Sequence, residues 1–216
     1  LANVVNHLAT EEIAQYCRIH DAKLIAISTD YVFEGSSANP LQEDAVVNPI
    51  NVYGQTKLNG ELAIQKWVPD AIIIRTSWVY STYGHNFVKT MLRLMAEREE
   101  ISVVADQIGT PTYANDLARV IDNILNYSIA NGFEAGIYHY SNEGITTWYD
   151  FTIQIHKDAG IATCLVTPIS TDQYPTKAIR QQYSVLDKTK IKRTFNIDIP
   201  DWQTSLNNCI KELLAQ

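Results

Sequence analysis

Cysteine, methionine and glycine are scarce in this chain of 216 residues, which has 3 Cys, 2 Met and 9 Gly. Cys17, Cys164 and Cys209 are odd in number and far apart, and they fit no metal-ligand spacing. That argues against a disulfide framework and for reduced, buried thiols in a cytoplasmic compartment. The five histidines form no H-E-x-x-H or similar helix-face pair, so no catalytic transition metal is expected. No stretch approaches the ~18 apolar residues of a membrane span, and there is no signal-peptide pattern. Basic residues are in deficit, with 17 Lys and Arg against 24 Asp and Glu, a formal charge of -7 and a pI of about 5.2. This balance opposes nucleic acid or an anionic membrane as the main partner. Also missing is any G-x-x-G-x-x-G turn, the backbone cradle that holds a pyrophosphate at a helix N-terminus.

What remains is an ordinary globular composition, 46% hydrophobic and 19% charged. The chain opens inside an amphipathic helix with apolar positions Val4, Val5, Leu8, Ile13 and Cys17. A short apolar run, 23–28, predicts a strand buried on both faces of a parallel sheet. A polar loop over 34–50, a helix over 52–66 and a second strand at 71–75 complete a βαβ unit. Helices are expected over 86–98 and 113–127, from a Thr146 or Thr147 cap to about 159, and from an Asp201 cap to 214. Strands are expected at 101–104, at 136–140 and at 165–169, where Pro168 predicts an edge position. Met91 and Met95 read as core filling. The alternation implies an α/β, doubly wound architecture, in which ligands bind beyond the carboxyl ends of the strands.

Chemistry concentrates at that rim. In Asn51-Val-Tyr-Gly-Gln-Thr-Lys57, a helical backbone puts the Tyr53 phenol and the Lys57 ammonium one turn apart on one face. An ammonium about 5 Å away, at an effective dielectric of about 20, stabilises a phenolate by roughly 3–4 kcal/mol. Such a tyrosine becomes a useful general acid for a carbonyl oxygen. Ser28 or Thr29, at the end of the preceding strand, can hydrogen-bond both the phenol and a substrate oxygen. With twelve tyrosines in the chain, the Tyr-x-x-x-Lys spacing alone is weak, and the surrounding motifs must carry the assignment.

Those motifs are Ser28-Thr-Asp-Tyr-Val-Phe33, Asn51–Lys57, Arg75-Thr-Ser-Trp-Val-Tyr80, Asn86-Phe-Val-Lys-Thr-Met-Leu92 and Asp106-Gln-Ile-Gly-Thr-Pro-Thr112. In this order they resemble the dTDP-4-dehydrorhamnose reductases of the extended short-chain dehydrogenase/reductase superfamily, strongly over 24–120 and weakly after 140. The resemblance implies a partial Rossmann-like sheet, its first strands missing, with a smaller C-terminal substrate-binding α/β lobe. Residues 1–80 and 105–140 would be the remainder of the dinucleotide-binding domain, and 81–104 and 141–216 the substrate lobe. It further implies reduction of the C4 ketone of a dTDP-linked 6-deoxy sugar by NADPH or NADH, giving dTDP-L-rhamnose, in a homodimer. Tyr53 would be the proton donor, Lys57 would lower its pKa and hold the nicotinamide ribose, and Thr29 would hydrogen-bond the reacting region. Ser28 joins Tyr53 and Lys57 on the cofactor side, while Asp30, Trp78, Asn86 and Arg180 would contact the substrate together with Thr29.

Two departures stand out. The glycine-rich turn is absent, so the chain is expected to be a fragment that binds a dinucleotide weakly at best. The Arg-Pro usual before the family's serine is replaced at Arg180-Gln181. Two other readings stay open: a sugar-nucleotide epimerase or 4,6-dehydratase, and a non-catalytic homologue like the regulatory subunit of methionine adenosyltransferase. Dehydratases resemble Thr-Asp-Glu where this chain has Thr29-Asp30-Tyr31, and the regulatory subunit lacks the Trp-Val-Tyr block.

Overall fold

The computed structural model describes residues 1–161, 163–174, 176 and 178–215. At its centre, strands β1 (Ile25–Thr29), β2 (Ile72–Thr76) and β7 (Gly136–Tyr140) form a parallel sheet in the order β1-β2-β7. Ile72 lies level with Ile25 on one side and Gly136 on the other, and Thr76 with Thr29 and Tyr140. The two-residue period of a strand then distributes β2 between two cores. Ile73 faces helices α1 (Ala9–Ile19) and α2 (Val52–Trp67), packing with Ala14, Cys17, Ile64 and Val68. Ile72 and Ile74 face the opposite layer, packing with Leu117, Val120 and Ile124 of α4 (Ala114–Asn131) and with Ile191 and Phe195 of α6 (Thr189–Phe195). The result is a three-layer α/β/α arrangement, the parallel α/β class expected.

A separate apolar cluster joins α3 (Phe87–Glu97), α5 (Trp148–Asp158) and α7 (Trp202–Leu214) to the two-stranded parallel ladder of β4 (Glu100–Val104) with β9 (Leu165–Ile169). Met91 and Met95 are buried there, as core filling requires. Pro168 sits in a ladder with a single neighbour, where its missing N–H costs no bond. Short pairs complete the connections: β3 (Val79–Tyr80) with β6 (Thr112–Tyr113), and β5 (Ile108–Gly109) with β8 (Thr146–Thr147). Thr147 and Asp201 cap α5 and α7 as expected, each accepting a backbone N–H from the first turn.

Some expectations need correction. β1 is the edge strand of the described sheet, and Ile27 is 38% exposed rather than buried on both faces. The N-terminal helix runs as a π-helical stretch, Val4–Leu8, followed by α1, and Val4, Val5, Leu8 and Ile13 remain exposed while Ala14 and Cys17 are buried. Its approach to α2 uses small and polar groups: Asn6 donates to Thr56 Oγ1 at 3.1 Å, and a Cβ on Gly60 would come within 2.3 Å of the Asn6 carbonyl oxygen. Of the apolar stripe, Cys17 alone joins the core shared with α2. Helix α6 had no forecast, and it packs by Ile191 and Phe195 on the sheet rather than on the second cluster.

One ion pair ties helix α2 to the sheet. Arg75 of β2 donates from Nε to Glu61 Oε1 at 3.0 Å and from Nη2 to Glu61 Oε2 at 2.7 Å, and both side chains are 3% exposed. Removing one partner leaves the other charge buried and uncompensated. Glu61→Ala should cost about 3–5 kcal/mol in urea unfolding, and a loss below about 1 kcal/mol would show the pair to be solvent-compensated.

Candidate active site

β1 delivers Thr29 to its carboxyl end, and a single 3-10 turn, Asp30–Val32, follows at once. Thr29 Oγ1 accepts from the Tyr31 N–H at 3.3 Å and donates to Asp30 Oδ1 at 3.0 Å, so the Ser-Thr-Asp block is wound on itself. Helix α2 starts beside this turn. Asn51 caps it, accepting from Gly54 N–H at 2.9 Å. The glycine of the Tyr-Gly pair has a steric reason: a Cβ on Gly54 would sit 2.1 Å from the Tyr31 carbonyl oxygen. This contact brings Tyr53 edge-on to Tyr31, with ring centroids 5.7 Å apart, and into side-chain hydrogen-bonding reach of Thr29. One turn later, Lys57 Nζ donates to the Ile27 carbonyl of β1 at 2.7 Å.

The electrostatics differ from the expectation in one respect. Burial pushes the Tyr53 phenol above its ordinary value; the Thr29 hydroxyl pulls it down, and the Asp30 charge pushes it up again. Lys57 does not act on it here, because its amine is turned to the Ile27 carbonyl, and burial lowers the lysine's own pKa against the opposing pull of Glu61. Asp30 is the most perturbed carboxyl of the group. Burial raises it to about 7, opposed by hydrogen bonds from Thr29 and Ser184.

A third side comes from a strap near the C-terminus, residues 181–186. Gln181 Nε2 donates to the carbonyls of Asp30 at 2.9 Å and Phe33 at 2.7 Å, and Tyr183 N–H donates to Gly35 O at 3.0 Å. Ile108 forms a parallel bridge to Tyr183, its N–H donating to Gln182 O at 2.8 Å and its carbonyl accepting from the Ser184 N–H at 2.8 Å. Ser184 thus stands between Asp30 and Gly109, and Gly109 lies against the ring of Trp78: a Cβ there would come within 2.6 Å of Trp78 Cε2. The described residues therefore bring Ser28, Thr29, Asp30, Tyr53, Lys57 and Trp78 to one rim. Burial raises the Tyr31 phenol, and Arg180, though exposed, is near enough for its charge to oppose that rise. Asn86 is engaged otherwise: it caps α3, accepting from Lys89 N–H at 3.2 Å and donating to Ser81 O at 2.7 Å. Ser184, Gln181 and Trp148, whose ring stacks on that of Trp78, were not foreseen as neighbours of the site. The weak match around residues 180–184 is the only trace of the first two and Trp148 left none, because each reaches the rim by tertiary packing.

Beside the open edge of β1 lies a cavity of about 360 Å³, bordered by Ile25–Ser28, Lys57, Gly60 and Glu61. The Ser28 hydroxyl is buried and has no hydrogen-bond partner among the described residues. An orphaned hydroxyl and an ammonium on one apolar cleft suit the hydroxyl-rich part of a nucleotide cofactor. Among the described residues no group of three or more His, Cys, Asp or Glu is placed to hold a metal ion. No helix among them is long and apolar enough to cross a membrane.

Comparison with known proteins matches residues 1–215 to the family model described as RmlD substrate binding domain. A curated dTDP-4-dehydrorhamnose reductase of Aggregatibacter actinomycetemcomitans is 41% identical over 94% of this chain and 71% of its own length. The reductase of Escherichia coli (strain K12) is 40% identical over 99% of this chain and 73% of its own length. The chain belongs to the dTDP-4-dehydrorhamnose reductase family. A crystal structure of a reductase of this family from Clostridium acetobutylicum superposes with a TM-score of 0.91 at 37% identity, covering 98% of this chain and 73% of that one. Another, from Bacillus anthracis in complex with NADP, gives 0.90 at 39% identity, covering 97% and 72%.

The elevated Asp30 pKa makes stability pH-dependent with a definite sign. Its folded value of about 7 lies above the ordinary 3.8, so the folded state retains a proton that the unfolded state has released between those pH values. Asp30 therefore subtracts progressively from stability as pH rises from about 4 to about 7, and the full deficit persists above. Asp30→Asn should raise Tm by several degrees at pH 8 and by little at pH 4. An equal shift at both would show that the carboxylate is not penalised by the fold.

Proposed function

We propose that this chain reduces the C4 ketone of dTDP-4-dehydro-L-rhamnose to dTDP-L-rhamnose with NADPH or NADH, a step of nucleotide-sugar biosynthesis for surface polysaccharide. The observation that carries the reading is the meeting of the Tyr53 phenol with the Thr29 hydroxyl, one helical turn from Lys57, at the carboxyl rim of a parallel sheet. Membership of the reductase family supports the reaction class, and the Bacillus anthracis relative, solved with NADP, supports the cofactor.

In this reading a bound nicotinamide cofactor supplies the hydride. Tyr53 gives its phenolic proton to the carbonyl oxygen as that oxygen becomes a hydroxyl, and Thr29 hydrogen-bonds the same oxygen and the phenol, fixing their geometry. Lys57 and Ser28 hold the nicotinamide ribose along the β1 cleft. Asp30 and Trp78 contact the deoxysugar, Trp78 as an apolar wall. Arg180, exposed beside Tyr31, is free to meet a substrate phosphate. Asn86 would meet the substrate with an amide that also serves the α3 cap.

We assign 1–80 and 105–140 to the dinucleotide-binding part and 81–104 and 141–216 to the substrate lobe, with α6 transferred to the former because of its packing on the sheet. Cytoplasmic residence draws support from three buried free cysteines, and a homodimer from the family resemblance alone. The dehydratase alternative is disfavoured because Tyr31, its ring edge-on to Tyr53, stands where a dehydratase needs a second acid.

The test uses the full reading frame, dTDP-4-dehydro-L-rhamnose and NADPH, with cofactor oxidation followed by absorbance; no oxidation would end the reductase reading. Tyr53→Phe should lower kcat by roughly 10²–10⁴ with KM little changed. Near-normal turnover in that variant would move the proton to another group.

A further inference from the structure

Trp78 is one of three non-glycine residues with positive φ, at +48°, among the described residues. A bulky side chain rarely adopts this conformation unless its surroundings fix it. The backbone around it is pinned from both sides: Ser77 Oγ donates to Thr110 O at 2.8 Å, and Thr112 N–H donates to the Trp78 carbonyl at 3.2 Å. Its indole lies flat on that of Trp148, with centroids 3.6 Å apart and planes 10° from parallel. Trp148 is in turn backed by Phe87, 4.5 Å away, so the stack reaches from the loop after β2 into the apolar cluster of the second lobe. Gly109 closes the edge of the Trp78 ring, where no Cβ would fit. Both tryptophans are only partly buried.

We propose that Trp148 is a positioning residue for substrate specificity. It occupies one face of Trp78 and holds that ring at a fixed angle, so that the remaining open side is a preformed apolar wall for the methyl-bearing face of a 6-deoxy sugar. This rests on the reading of Trp78 as a substrate contact given above. The physical basis is pre-organisation: a ring already held on one face by Trp148 and along one edge by Gly109 loses little rotamer freedom on binding. The consequence is an effect on binding rather than on the chemical step, because the ring contacts of Trp148 are with Trp78, Phe87 and Phe151, not with the groups that move the proton.

The stack has its own optical signature. Two indoles in face contact give an exciton couplet in the far-ultraviolet circular dichroism when their in-plane transition moments are turned from one another, and Trp78 with Trp148 is the one tryptophan pair in ring contact among the described residues, so any couplet the parent shows belongs to it. In the full reading frame, Trp148→Leu should abolish the couplet and raise KM for the dTDP-sugar about tenfold with kcat within about twofold. Trp148→Phe, which restores a flat face, should also lack the couplet but return KM to within about threefold of the parent. An unchanged KM in Trp148→Leu, or an equal fall of kcat in both variants, would overturn the proposal. Trp78→Leu separates it from the underlying reading: if that variant has a normal KM, Trp78 is no substrate wall and both ideas fall, whereas a raised KM with Trp148→Leu unaffected removes only the role of Trp148. Should Trp148→Leu not fold, the parent protein decides. Adding dTDP should leave the couplet in place with altered intensity, and its disappearance on binding would mean that the stack opens, which a fixed wall forbids.

Discussion

The pairing of Arg75 with Glu61 is the constraint through which the sheet, the helix and the loop share one geometry. Arg75 lies in the middle strand, level with Ser28 on one side and His139 on the other. Its guanidinium takes both oxygens of Glu61, donates to the Glu43 carbonyl at 3.2 Å and stands 5.0 Å from the centre of the Phe33 ring. Because Glu61 is one turn beyond Lys57 on α2, the pair sets the rotation of that helix about its axis. The placement of Tyr53 and Lys57 against β1 follows from it. Burial, aided by the same cation, lowers His139 to about 3, so that its buried imidazole remains neutral. A bidentate arginine suits this position because one planar group satisfies partners on three different segments.

A second polar centre joins the sheet to the other lobe. Asn142, just past β7, donates to Asp116 Oδ2 at 2.8 Å and Ser205 Oγ at 2.9 Å, and accepts from Tyr113 N–H at 2.8 Å. Lys188, immediately before α6, donates to the Asn142 carbonyl at 2.9 Å and pairs with Glu143. One asparagine thus connects α4, α7 and the approach to α6 in a largely buried network, with each polar group finding a partner. Apolar contact alone would allow the two lobes to slide, whereas directional bonds fix their register. Trp148, which backs Trp78 from the second lobe, keeps its relation to Tyr53 through this junction.

The sequence made the regular elements and the chemical motif readable for different physical reasons. β2 and β7 are short apolar runs between turn residues, and α3, α5 and α7 carry a cap residue and an apolar period, so local patterning sufficed. Tyr53, Lys57 and Thr29 were legible because they lie in contiguous motifs. Helix α6 was not, since Thr-Lys-Ile-Lys-Arg-Thr-Phe offers two apolar residues and no cap, and its stability comes from packing on β7. The exposure of Ile27 and of Val4, Val5 and Leu8 was likewise hidden, because hydrophobicity in a sequence does not say which neighbour covers it. Ser184, Gln181 and Trp148 reach the site across more than sixty positions from the residues they touch, a distance over which no local pattern carries information.

The reversal in the acid–base expectation has a mechanistic meaning. Spacing suggested that Lys57 would make Tyr53 more acidic, yet the amine is held on the Ile27 carbonyl and the phenol is pushed up by burial and by Asp30. For a proton donor this is not a defect. A phenol above its ordinary value is fully protonated at neutral pH, and the group it serves, an alkoxide forming on a carbon that has just received hydride, is a far stronger base than a phenolate. The transfer is downhill without help from the lysine. The difficulty moves to the phenolate left behind, beside an Asp30 whose own burial favours the neutral acid. With Asp30 at about 7, only part of its charge remains at neutral pH to oppose the phenolate, and Thr29, which donates to Asp30 Oδ1 at 3.0 Å, lies within reach of the phenol as well. In the proposed mechanism, Thr29 and a partly protonated Asp30 share the electrostatic work that sequence spacing alone assigned to the lysine, with Lys57 on the cofactor side of the cleft.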